Sequence, residues 1–362
     1  MKKLIHFLLI STAIVFLNPV LATQQTISRI VVFGDSLSDT GKMFGKSLKW
    51  IPSSPPYHDG RFSDGPVWVD HLKSKLMQDN IPISIINEAE GGATAAAYDI
   101  TNSPVTLFIN TLSNELTQFL NKDYFRSGDL VIVWAGGNDY LNQKQESVST
   151  VLSAIDNLLN QAVNSNASQV IAFNLPRLDT TPHAKKKFPG KLSQLAKITK
   201  EHNSRLLQLI KKYDSEKVKV FDVESLLAHM MTNPVQYALT NTTQACYTKG
   251  YLWRPFIKGK KAMPYIDDYH AEYLALKPID QMTPQELALL FQNPAFTNNA
   301  MLQDALPRIQ SKKSGPQRIE PAGDAPENCD GYLFWDKIHP TTTTHKVLAN
   351  KFYGYLFEQS ML

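Results

Sequence analysis

The stretch Val31-Val32-Phe33-Gly34-Asp35-Ser36-Leu37-Ser38-Asp39-Thr40 decides how this chain is read. An apolar run of β type, Ile30 to Phe33, ends in Gly-Asp-Ser, and the residues that follow turn polar and can enter a helix. This sets Ser36 at the carboxyl end of a strand, where open α/β sheets carry their reactive groups. A serine hydroxyl alone is a weak nucleophile. It needs a base, an acid that orients the base, and donors for an oxyanion.

The other parts lie far along the chain. In Phe334-Trp335-Asp336-Lys337-Ile338-His339-Pro340-Thr341, Asp336 and His339 are three apart, a spacing that brings both side chains to one side of a tight turn. His339 is then placed to take the Ser36 proton while Asp336 holds the imidazole in the right tautomer. Between the ends stand Glu90-Gly91-Gly92-Ala93-Thr94 and Gly136-Gly137-Asn138-Asp139. A glycine lets a backbone N–H come close to a developing oxyanion, and an asparagine amide adds a neutral donor.

Period and composition place these motifs. Strands are expected over residues 30–33, 81–86, 129–135, 169–173 and 218–223, with helices over 68–77, 112–120, 148–163, 192–212, 224–231 and 341–357. Five strands alternating with helices predict an α/β fold with a mostly parallel sheet covered on both faces. Ser36, Gly92 and Asn138 each follow a strand, so one edge of one sheet can collect all three.

Taken in order, these four motifs resemble the GDSL family of lipolytic hydrolases, also called SGNH hydrolases, over residues 29–245 and 330–358. The resemblance implies a flavodoxin-like three-layer α/β/α sandwich. It makes Ser36 the nucleophile, Asp336 and His339 the orienter and base, and Ser36, Gly92 (rather than Gly91) and Asn138 the oxyanion hole. The segment from Pro55 to Trp68, Pro-Pro-Tyr-His-Asp-Gly-Arg-Phe-Ser-Asp-Gly-Pro-Val-Trp, resembles the branch of secreted bacterial phospholipases A, lysophospholipases A and glycerophospholipid:cholesterol acyltransferases. That implies a lipid or lysophospholipid substrate, transient contact with a membrane surface, and water or cholesterol as acyl acceptor. Tyr57, Phe62 and Trp68 are read either as packing under a long loop or as a wall of the acyl cleft. Asp35 and Asp39 are read as hydrogen-bonding and solvated residues of the Ser36 turn, and Asp139 as structural. The alternatives are an O-acetyl esterase acting on polysaccharide or peptidoglycan, and a non-catalytic binding protein of the same fold. The chemistry requires no metal and no organic cofactor, and neither a Cys-x-x-Cys pair nor clustered histidines occur.

The chain has 362 residues, 43% hydrophobic and 19% charged, which is globular in composition. Its net charge of +4 includes Lys2 and Lys3, and no basic stripe points to nucleic acid. Residues 1–22 read as a signal peptide: Lys2 and Lys3, an apolar run to Leu17, then Val20 and Ala22 before a cleavage site. Residues 23–362 then form the hydrolase domain of an exported protein that is secreted, periplasmic or on the outer surface. In such a protein the only two cysteines, Cys246 and Cys329, are expected to pair, with two unrelated thiols as the alternative. The proline-rich segment 246–329 breaks the strand–helix rhythm and is read as an insertion pinned at its base by that pair. It is expected to act as a lid or as a loop nicked by an activating protease, with Lys312-Lys313-Ser314-Gly315 as a cut site, or else to have no role in activity.

Overall fold

The computed structural model describes residues 27–46, 51–98, 110–142, 145–248, 326 and 328–362. The leader expected over 1–22 lies outside the described residues, as does most of the insertion with its tract at Lys312-Lys313. The elements run β1 (Arg29–Gly34), α1 (Lys42–Lys46), α2 (Trp68–Gln78), β2 (Ser84–Asn87), α3 (Leu112–Leu120), β3 (Asp129–Trp134), α4 (Gly137–Leu141), α5 (Val148–Asn164), β4 (Gln169–Phe173), α6 (Pro182–Lys187), α7 (Leu192–Ile210), β5 (Val218–Phe221), α8 (Val223–Thr232), β6 (Asn241–Ala245), β7 (Tyr332–Phe334) and α9 (Thr342–Glu358).

Five strands form one parallel sheet in the order β2-β1-β3-β4-β5. Every residue of β1 and β3 is buried, which is why both read as unbroken apolar runs rather than alternating ones. Register assigns the faces. Phe33 pairs with Val133 and Val133 with Ala172, whereas Trp134 and Phe173 stand one step further and point the other way. Phe33 meets Phe119 of α3 edge-on, and α3, α5 and α7 pack in turn on that face. Phe173 meets Trp68 of α2 and Phe352 of α9, and these two helices pack on each other. The result is the three-layer sandwich.

Two strands are shorter than their apolar runs. Residues 81–83 are spent leaving α2, since Ile81 N–H donates to Leu76 O at 2.9 Å, so β2 starts at Ser84. β5 stops at Phe221 because Asp222 caps α8, accepting from Ser225 N–H at 3.0 Å. A second sheet was not expected from the sequence. β6 and β7 pair in parallel, Asn241 with Tyr332 and Ala245 with Phe334. One is polar and the other only three residues long, so neither carries a strand pattern. Their pairing is held beside the Cys246–Cys329 disulfide, whose Cα atoms are 5.8 Å apart.

Two buried histidines make the fold acid-sensitive. His202 Nε2 and both ring nitrogens of His345 have no hydrogen-bond partner among the described residues. Burial pushes each ring down to about 3. Below the ordinary value of 6.5 the unfolded chain takes up protons that the folded chain refuses, so stability falls as pH drops from 6.5 towards 3. At pH 5 this amounts to about 2 kcal/mol per ring. In urea unfolding, His345→Leu is therefore expected to narrow the stability gap between pH 7 and pH 5 by about that amount. An unchanged gap would mean that the folded protein does not hold His345 neutral.

Candidate active site

Ser36 occupies the turn that leaves β1. Asp35 O accepts from Ser38 N–H and Asp39 N–H, both at 3.0 Å, and Asp35 Oδ1 accepts from Leu37 N–H at 3.0 Å. The turn rests on two further bonds to Gly34: its N–H donates to Glu115 Oε2 on α3 at 3.0 Å, and its carbonyl accepts from Glu90 N–H at 3.0 Å. Gly34 is forced by space, because a Cβ there would lie 2.2 Å from Trp134 O on the neighbouring strand.

The Asp336–His339 turn meets Ser36 across 303 residues of chain. His339 Nε2 lies 2.8 Å from Ser36 Oγ, and His339 Nδ1 lies 2.7 Å from Asp336 Oδ2. The carboxylate opposite Nδ1 assigns the proton to that nitrogen and leaves Nε2 to accept from the serine hydroxyl. The three-residue spacing works because the turn closes on its own acid: Asp336 Oδ1 accepts from Ile338 N–H at 2.8 Å and His339 N–H at 2.7 Å. Burial pushes the Asp336 carboxyl up, but the His339 ring and these N–H donors outweigh it and hold it below the ordinary carboxylate value. Ser36, Asp336 and His339 are all buried.

The glycine pair separates cleanly. Gly91 N–H is taken by Asp39 Oδ2 at 2.7 Å, and a Cβ at Gly91 would lie 2.2 Å from the Phe62 ring. Gly92 has φ +80°, open space where a Cβ would stand, and an N–H with no acceptor among the described residues. Ser36 N–H likewise has none. Asn138 is the second residue of α4, entered through Gly136 at φ +118°. Its Oδ1 accepts from Asn142 at 2.7 Å, and its Nδ2 donates one proton to Ala93 O at 2.8 Å, leaving the second proton unused. Three N–H groups thus remain unspent at the three positions named from the sequence.

The three flanking aspartates are buried, so Asp35 and Asp39 are not solvated. Asp39 accepts from the N–H groups of Gly41, Lys42, Met43 and Gly91, yet burial still pushes it up to about 6. Burial raises Asp35 to about 7. Asp139 ties α4 to the Gly92 loop, accepting from Ala95 N–H, Ala96 N–H and Tyr98 O–H, so it is structural as expected.

A cavity of about 270 Å³ opens beside Ser36 and Asn138. Its lining is mostly apolar: Trp134, Leu178, Leu227, Met231 and Phe334, with Arg177, Thr180 and Glu224 among its polar members. It lies at the point where the strand order reverses, since β1 leads to β2 on one side and β3 to β4 on the other. The aromatic trio of the Pro-rich loop does not line it. Trp68 packs into the sheet, its Nε1 donating to Ser38 Oγ at 3.1 Å; Phe62 lies on the His339 ring at 5.0 Å; and Tyr57 O–H donates to Asp336 Oδ2 at 2.7 Å. The loop buttresses the site from behind instead of walling the cleft. Sequence reasoning missed the cavity walls supplied by α8 and the loop after β4. The one signal was the run Asn174-Leu175-Pro176-Arg177-Leu178 at a strand's carboxyl end. Among the described residues no three His, Cys, Asp or Glu side chains are grouped to hold a metal ion.

The family description GDSL-like Lipase/Acylhydrolase matches residues 30–352. Phosphatidylcholine-sterol acyltransferase of Aeromonas hydrophila is 36% identical over 334 residues, which cover 90% of this chain and 89% of that protein. The secreted effector protein SseJ of Salmonella typhimurium is 31% identical over 160 residues, 44% of this chain and 37% of that protein. The crystal structure of a possible lipase from Chitinophaga pinensis covers 92% of this chain and 99% of its own, at 14% identity and a TM-score of 0.41. No described helix is long and apolar enough to cross a membrane. With the match running over most of its length, this chain belongs to the GDSL-like lipase/acylhydrolase family, of carboxylic ester hydrolases and acyltransferases.

Proposed function

We propose that this protein cleaves fatty acyl esters of phospholipids and lysophospholipids through a serine ester, and passes the acyl group to water or to a sterol. The observation that carries the reading is the hydrogen-bonded line Ser36–His339–Asp336, whose serine lines a mostly apolar cavity. Ser36 Oγ attacks the ester carbonyl as His339 Nε2 takes its proton. Asp336 stabilises the imidazolium that forms. The Ser36 and Gly92 N–H groups and the free proton of Asn138 Nδ2 take the oxyanion. His339 returns the proton to the leaving alcohol. Water or a sterol hydroxyl, deprotonated in the same way, then releases the acyl group from Ser36. An apolar cavity of this size favours a fatty acyl chain over an acetyl group. The similarity to a phosphatidylcholine-sterol acyltransferase supports the phospholipid donor and the sterol acceptor. The same proposal takes residues 1–22 as a signal peptide for export and residues 246–329 as an insertion in the hydrolase domain, open to a lid role or to cleavage by an activating protease.

The test is product analysis. Purified mature protein and its Ser36→Ala variant are incubated with lysophospholipid, diacyl phospholipid and cholesterol together. Free fatty acid formed only with Ser36 intact is the expected result, and cholesteryl ester adds the transferase. Acetate released from acetylated glycans, with no fatty acid from lipid, would overturn the substrate class. For the oxyanion donor, Asn138→Ala is expected to lower kcat by about 10²–10³-fold with little change in KM, as for other side-chain donors of this kind. Michaelis kinetics on a soluble ester read both constants.

A further inference from the structure

Tyr57 stands behind the acid, not in front of the substrate. It is 2% exposed, and its hydroxyl donates to Asp336 Oδ2 at 2.7 Å, the same oxygen that receives His339 Nδ1–H at 2.7 Å. With Ile338 N–H and His339 N–H on Oδ1, four donors surround this buried carboxylate, two on each oxygen. Three of them come from within the turn. The fourth comes from a loop 279 residues away.

The loop is held for this contact. The Tyr57 ring meets Trp335 edge-on at 5.6 Å and Tyr247 edge-on at 5.7 Å, and Tyr247 stacks flat on Trp335 at 5.1 Å. Tyr247 N–H donates to Trp335 O at 2.7 Å and Cys246 N–H to Phe334 O at 3.1 Å, beside the Cys246–Cys329 disulfide. These aromatic walls fix the phenol's direction, so the hydroxyl reaches one oxygen of one carboxylate.

We propose that Tyr57 is a positioning residue for the serine esterase reaction: its hydroxyl shares Asp336 Oδ2 with His339 and so sets both the orientation and the basicity of the imidazole. The inference rests on the reading of Ser36, His339 and Asp336 given above. A phenol bonded to Oδ2 withdraws charge from the oxygen that faces Nδ1. Without it the carboxylate accepts more strongly from His339, the imidazolium becomes more favourable in the free enzyme, and the base is protonated at a higher pH. The carboxylate also loses the one contact that restrains it from outside its own turn.

Other groups face this pair. Asp35, on the turn after β1, interacts with His339 through its charge, but its carboxyl is bonded by Leu37 N–H and not by the Asp336 turn. His345 on α9 senses His339 and is held neutral by burial. Ser36 occupies Nε2, Lys337 lies within the turn, and the Phe62 ring covers the imidazole. A change at Tyr57 acts on Asp336 Oδ2 and leaves these contacts in place.

Tyr57→Phe keeps the ring and its edge-on contacts and removes only the hydroxyl. The expected result is an acid limb of the kcat/KM pH profile moved up by about half a pH unit or more, with kcat about tenfold lower and KM unchanged. A variant with the parent's acid limb and a kcat within twofold of it would overturn the proposal. So would a variant that fails to fold, since Tyr57 would then be a packing residue. Ser36→Ala, measured beside it, separates the two readings. If Ser36→Ala is as active as the parent, the serine mechanism fails and Tyr57 with it. If Ser36→Ala is inactive and Tyr57→Phe behaves as the parent, only the positioning role fails.

Discussion

Ser36→Ala is expected to lower kcat/KM by about 10⁴–10⁶-fold while the fold stays intact. The change deletes the 2.8 Å bond to His339 Nε2 and the Ser36 hydroxyl beside the cavity. Little else depends on that oxygen. The turn is held by Asp35 O, Asp35 Oδ1 and the two bonds of Gly34, none of which uses the Ser36 side chain. Thermal unfolding should therefore change little while the initial rate on a soluble ester collapses. Nucleophile and base act as one unit, so His339→Ala, and the double variant with Ser36→Ala, should cost about the same as either alone. Losses that multiply in the double variant would mean that the two groups serve different steps. Activity within tenfold of the parent in Ser36→Ala would remove Ser36 from the reaction.

Asp336→Asn is expected to cost about 10⁴-fold in kcat, with KM little affected. The asparagine has nearly the same shape but only one acceptor oxygen. Asp336 Oδ1 serves two turn N–H groups, and Oδ2 serves His339 Nδ1 and Tyr57 O–H. If the amide oxygen keeps the turn, the NH₂ group faces Nδ1 and donates to it. The ring proton then moves to Nε2, which can no longer accept from Ser36. Stability shifts with a definite sign. The Asp336 carboxyl is held below its ordinary value in the folded state, so its contribution is present above that ordinary value and is lost as pH falls through the lowered one. The variant has no such contribution to lose, and its acid unfolding should be less steep in that range. A kcat near the parent's, with the pH profile unchanged, would show that the tautomer is set by something other than Asp336.

The parts of this protein that sequence made legible are local. Gly-Asp-Ser after an apolar run, a glycine pair after the second strand, Gly-Gly-Asn-Asp after the third and Asp-x-x-His before the last helix each complete a turn within a few residues. Their geometry is therefore written in their spacing. The Asp336 turn is the plainest case, since two of its four hydrogen bonds run from its own backbone to its own carboxylate. The unbroken apolar runs of β1 and β3 were equally readable, because a parallel strand buried on both faces needs no alternation.

What the sequence determined by itself was the class of fold, the five strands and the local segments that carry Ser36, Asn138, Asp336 and His339. The tertiary structure decided the rest, because each remaining feature depends on pairs of residues far apart in the chain. Gly92 and Gly91 read alike as letters. Only the folded neighbours, Asp39 and Phe62 against Gly91 and open space beside Gly92, tell which N–H remains unspent. The strands β6 and β7 carry no pattern and exist because the chain returns at Cys329 to lie beside Cys246. The cavity is assembled from the turn after β1, the end of β3, α4, the loop after β4, α8 and the segment from β7 through the Asp336 turn, so no single segment signals it. Tyr57 meets Asp336 for the same reason: a hydrogen bond across 279 residues is set by the packing of an aromatic cluster, and periodicity along a chain carries no information about which rings will meet.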